Sequence, residues 1–131
     1  TKKGKQMGRY YQGDIEGKFW FAIQSSTDAN FFGGEPYEPN YVNYHFSKKY
    51  DFDKVVEGIN KCEDVLGKNL KTLDKFFSEN NGYNEDMIAE QTDIKKEDIP
   101  SLLKWYARLE LGTKIRDCLI EQDECSFEAE L

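Results

Sequence analysis

Nucleophilic chemistry needs a thiol or hydroxyl beside a base, and His45 is the only histidine in the chain. A Cys62–His45 or Cys118–His45 pair would place a thiol next to that base. Both cysteines, however, fall on apolar stripes of helical period, where a thiol behaves as a small core side chain. The expectation is therefore a protein that is not an enzyme, with no catalytic residue. A single histidine also excludes a histidine-rich metal site, and zinc would need several cysteines beside it. No metal and no cofactor is expected. Paired carboxylates for general acid–base work would come from Asp14, Glu16, Glu35 and Glu38, but two of them must meet in a cleft with separated pKa values. With 25 acidic residues in the chain, chance pairs are expected. A small-molecule binder or small enzyme built on Glu35 and Glu38 stands as the third reading. The run Gly13-Asp14-Ile15-Glu16-Gly17-Lys18 has the look of a phosphate loop, yet it lacks the six-residue spacing and the Ser or Thr after lysine. It reads as a hairpin turn.

Two segments have the composition of binding elements. Asn30–Tyr41 is longer than a hairpin needs and carries Phe31, Phe32, Tyr37 and Tyr41, with Glu35 and Glu38 among them. Long loops bearing large apolar groups are frequent contact elements. These six residues are the expected partner loop, weighed against the alternative that the aromatics fold back on the core. The second segment, residues 86–106, resembles a helix-turn-helix: Ala89 would permit a close crossing, and Ile94, Ile99 and Leu102 would form a small core. If it bound nucleic acid, Lys95, Lys96 and Lys104 would meet the phosphates. Pro100 and the acidic pair Glu97 and Asp98 argue against that use of the second helix.

Charge points the same way. The 131 residues hold 18 basic and 25 acidic side chains, a net charge of -7. Residues 1–50 carry seven basic and five acidic groups, and residues 51–131 carry eleven and twenty. A field of that sign disfavours phosphate backbones and anionic membrane surfaces and favours a basic protein partner. Glu121, Asp123, Glu124, Glu128 and Glu130 extend the acidic surface to the C-terminus. Three cysteines without a C-x-x-C spacing read as reduced thiols, and no apolar run approaches membrane-spanning length. A cytoplasmic, intracellular protein is expected. Residues 1–6 read as an artificial remnant ahead of the natural start, with Met7 starting a single domain over 7–131.

These residues must be positioned by local structure. Period-2 alternation predicts strands over Arg9–Ile15, Lys18–Gln24, Tyr41–Phe46 and Cys125–Leu131, the second of them central because both its faces are apolar. Helical period predicts a helix from Asp51, capped by Asp51 or Asp53 and ended by Gly67, and a second through Leu70, Leu73, Phe76 and Phe77. A short helix over Asp86–Gln91 and a long one from Pro100 to Glu121 follow. The stripe of the long helix, Leu102, Trp105, Tyr106, Leu109, Ile115, Cys118 and Leu119, is expected to cover the sheet. The fold class is α+β: an antiparallel sheet of three or four strands with about four helices on one face. The leading functional expectation is a noncatalytic interaction protein, either an inhibitor, an adaptor or an accessory subunit, with self-association into a homo-oligomer as a further expectation for the aromatic loop. A nucleic-acid-binding regulator is the alternative.

Overall fold

Cys125, Phe127 and Ala129 alternate with Glu124, Ser126 and Glu128, a period that sends the first three to one face of a strand. That strand becomes the centre of the fold in a computed structural model, which describes residues 9–20, 22–35 and 42–130. The strands are β1 (Tyr10–Gly13), β2 (Gly17–Lys18), β3 (Val42–Ser47) and β4 (Glu124–Ala129). They form one antiparallel sheet in the order β2-β1-β4-β3. The C-terminal β4 lies between β1 and β3, with Phe127 opposite both Gly13 and Tyr44. The helices are α1 (Lys48–Leu66), α2 (Asn69–Glu79), α3 (Glu85–Gln91) and α4 (Ile99–Gln122). The fold is α+β, as the alternating and helical periods require.

The expected central strand over Lys18–Gln24 is corrected. Among the described residues, the strand stops at Lys18, in the edge strand β2, with one further bond from the Phe19 amide to Arg9 O at 2.8 Å. Beyond it the chain turns: the amides of Ile23 and Gln24 both donate to Trp20 O, and Ala22 adopts φ 64°. The apolar residues of this segment enter two different cores, without respect to the alternation. Phe19 joins the sheet–helix core, whereas Trp20 and Ile23 pack on a second cluster built from Leu66, Leu73, Phe76, Ile88, Ile94, Ile99 and Leu103.

Helix α1 starts earlier than its acidic residues predict. Ser47, the last residue of β3, is the N-cap: its Oγ accepts the Tyr50 amide at 3.2 Å, and Asp51 Oδ2 accepts the Ser47 amide at 2.8 Å. The reciprocal bonds satisfy donors that a helix start leaves open. Helix α4 shows a different stripe from the expected one. Leu103, Ala107, Leu111, Ile115 and Leu119 are fully buried, whereas Leu102, Trp105, Tyr106 and Leu109 are half-buried. The helix is flanked by α1 on one side and α3 on another, so its inward face is wider than one sheet demands. At its end Asp123, in the left-handed conformation at φ 68°, turns the chain directly into β4.

Candidate functional site

The partner loop begins with the 3-10 turn Asp28–Phe32, closed by Gly33 at φ 91°. Phe32 is wholly buried, its ring held where α1 and α4 cross at Gly58 and Gly112; a β-carbon on either glycine would collide with it. Its sequence-based role as a partner anchor is therefore corrected: Phe32 is a core residue. Phe31 is half-buried. It and Trp105 meet edge to face, and the Arg108 guanidinium lies over both rings at 4.6 and 4.7 Å. Arg108 Nε donates to Asp28 Oδ1 at 2.8 Å, and Gln24 Nε2 donates to Asp28 Oδ2 at 2.9 Å. The Asp28 carboxylate, with a side chain only 4% exposed, is thus met from both sides. Glu35 is exposed at the end of this segment. Tyr37, Glu38 and Tyr41 lie outside the described residues.

In the helix pair, Ile88, Ile94 and Ile99 are buried together, while Ala89 and Leu102 sit at the periphery. Lys96 Nζ is paired with Asp86 at 2.6 Å, which raises the lysine pKa through the hydrogen bond and the adjacent charge. Lys95 and Lys104 are exposed. The Cys–His dyads do not form. Cys62 is in the sheet–helix core, where burial pushes its thiol up to about 12. Cys118 hydrogen-bonds Glu124 O at 3.4 Å and lies beside the buried Cys125 thiol. His45 faces outward from the other side of the sheet, its Nδ1 2.6 Å from Ser126 Oγ. Asp14 Oδ2 accepts the Ser126 amide at 2.7 Å, a bond that ties the β1–β2 turn to β4. Among the described residues, no group of three His, Cys, Asp or Glu side chains is arranged to hold a metal ion.

The structure assembles one surface constellation that the sequence did not reveal. Trp20, Phe77, Tyr83 and Tyr106 come together from the segment after β2, from α2, from the α2–α3 connection and from α4. Trp20 lies 5.5 Å from Phe77 and 5.6 Å from Tyr83, and Phe77 stacks on Tyr106 at 5.4 Å. Tyr83 is 39% exposed, so the cluster opens to solvent. Two carboxylates are tethered to its rim by neutral donors. Tyr106 donates its hydroxyl to Asp74 Oδ1 at 2.6 Å, and Trp20 Nε1–H reaches Glu110 Oε1 at 3.3 Å. Burial, reinforced by the bond to Asp74 and its charge, raises the Tyr106 pKa.

A groove of about 430 Å³ continues from Tyr106 between α2 and α4, lined also by Leu70, Asp74, Leu109, Glu110 and Glu63. Its two cations have other partners. Lys114 Nζ bonds Tyr11 Oη and Glu16 O, both at 3.0 Å, and Arg116 pairs with Asp117 at 3.0 Å. Among the described residues, neither Asp74 nor Glu110 has a cation within 4.0 Å. The arrangement can therefore offer ring faces and unneutralised carboxylates to one cationic group. No local signal announces it, since its members are up to ninety residues apart. The helical spacing of Tyr106 and Glu110 was the nearest available hint.

Among the described residues no helix is long and apolar enough to cross a membrane. Compared with protein-family models, curated proteins and solved structures, the chain matches none.

Proposed function

We propose that this protein acts by binding a lysine- or arginine-bearing segment of another protein on its helical face, as an inhibitor, adaptor or accessory subunit would. The observation that supports this most directly is the pair of carboxylates, Asp74 and Glu110, held at the rim of the Trp20–Tyr83–Tyr106 cluster by neutral donors. A carboxylate bonded to a neutral hydroxyl or indole keeps its negative charge, and ring faces attract cations electrostatically by about 0.5–2 kcal/mol each. The surplus of acidic residues adds long-range steering toward a basic partner. The reading keeps the sequence-based expectation of a basic protein partner but moves its contact surface from the Phe31–Tyr41 loop to α2 and α4.

The test uses a fluorescein-labelled peptide rich in lysine and arginine, followed by anisotropy at low salt. Asp74→Asn combined with Glu110→Gln should weaken binding by about 10-fold or more, as expected when charge-assisted contacts worth 1.5–3 kcal/mol are removed. Tyr83→Ala, at an exposed position, should also weaken it. Removing two acids elsewhere, Asp53→Asn with Glu57→Gln, is the control for net charge alone. Equal losses in both double variants would reduce the interaction to nonspecific attraction and overturn the proposal.

A further inference from the structure

The helices cover one face of the sheet, and the other face carries a cluster that the binding proposal does not use. His45 and Ser126 are register partners on β3 and β4, and Ser47 and Glu124 are partners one step along. Ser126 Oγ is 2.6 Å from His45 Nδ1. On the far side of the imidazole, Nε2 is 3.7 Å from Glu124 Oε1. That distance is too long for a hydrogen bond but sets the carboxylate beside the ring nitrogen opposite Ser126. The hydroxyl, the imidazole and the carboxylate thus follow in the order nucleophile, base, positioning group that acyl transfer requires.

A fourth residue lies on the same face. Asn43, diagonal to Ser126 on β3, is 9% exposed as a whole residue, and no side-chain amide atom of it is both buried and unbonded, so the amide faces solvent. Asn43 and Ser126 both line an open hollow of about 560 Å³ on this face. An amide donor beside a nucleophile is the arrangement that holds an oxyanion. Glu16 and Glu128 also line the hollow and would repel an anionic substrate.

We propose that Ser126 is a nucleophile that takes the acyl group of a neutral or cationic carboxylic ester, with His45 as its base, Asn43 as the oxyanion donor and Glu124 as a positioning residue. Ser126 Oγ attacks the carbonyl carbon while its proton passes to His45 Nδ1. The Asn43 amide donates to the resulting oxyanion. Collapse breaks the bond to the alcohol oxygen, and His45 returns the proton to that leaving group, so an alcohol departs and acyl-Ser126 remains. Water then adds in the same way, giving its proton to His45. The acyl–Oγ bond breaks, Ser126 recovers the proton and a carboxylic acid leaves.

The probe is p-nitrophenyl acetate, read by release of p-nitrophenol and by peptide mapping of the acetylated residue. The expected result is acetylation at Ser126, abolished in Ser126→Ala. His45→Gln should slow it about 100-fold or more, the usual contribution of a general base. Asn43→Ala should slow it by about 100-fold, the usual contribution of an oxyanion donor. Ser126→Cys, which keeps a nucleophile at the same place, should restore acylation. Unchanged thermal melts would show that any loss is not unfolding. Acetylation confined to lysines and tyrosines, or a rate in Ser126→Ala equal to the wild type, would overturn the proposal. The helical-face variants Asp74→Asn and Glu110→Gln should leave this reaction untouched, so the two sites stand or fall separately.

Discussion

Phe32 shows how much a single ring can organise. Its side chain fills the crossing of α1 and α4, which is possible because Gly58 and Gly112 present no β-carbon. Two opposing effects decide the outcome of Gly112→Ala. Helix propensity alone would stabilise α4 by about 1 kcal/mol. Overpacking a filled core costs about 1–3 kcal/mol, and here the new methyl would overlap the Phe32 ring, with Ile59 closing the other side. Neither neighbour is the free end of a flexible chain, so packing wins. Gly112→Ala should lower the stability measured by urea unfolding by about 1–2 kcal/mol. A rise would mean that the ring is not seated between the helices. The presence of a mid-helix glycine was legible as a sign of close packing, but the identity of the partner was not, because it arrives from a loop eighty residues earlier.

At the scale of elements, the helix pair over residues 86–106 was correctly placed by its periodicity, yet its use is set by what surrounds it. Helix α3 is seven residues long and presses Ile88 onto Ile94, Ile99 and Leu103. Lys96 is held by Asp86, and Glu97 and Asp98 stand in the turn before α4, where acidic groups favour a helix start but oppose phosphate. Pro100 fits because the first turn of a helix leaves its N–H groups without intrahelical partners. We expect fluorescence polarisation of a random duplex oligonucleotide to stay flat from low to physiological salt. Binding that falls steeply with salt and with loss of Lys95 and Lys104 would return the pair to a nucleic-acid role. The segment after β2 departs from its expected strand for a related reason. Apolar residues in alternation need buried neighbours, and those neighbours can be two separate clusters as well as two sides of a sheet.

At the scale of the whole molecule, burial of ionisable groups makes stability depend on alkaline pH. Burial pushes the Cys62 thiol from 9.0 to about 12 and, with the charge of Asp28 added, the Tyr44 hydroxyl from 10.0 to about 12. In each case the folded state holds its proton more tightly than the unfolded chain. The stability they contribute is fully present below pH 9.0 and is lost as pH rises toward about 12, because the unfolded chain ionises first. The melting temperature should therefore hold from neutral pH to about pH 9 and then fall, with a shallower fall in Cys62→Ala. A melting temperature that is level through that window would contradict the burial of both groups.

Sequence alone determined the class of the fold, the helices, the alternating last strand and the excess of negative charge, because each rests on local periodicity or on composition. Only the tertiary structure decided that β4 lies between β1 and β3, that Phe32 belongs to the core, and that Trp20 meets Tyr83, Tyr106 and Glu110. The same holds for His45 facing Ser126 rather than a cysteine. Each of these is a contact between residues far apart in the chain. Such contacts are chosen by how complete surfaces fit together, and no spacing within a short window encodes that fit.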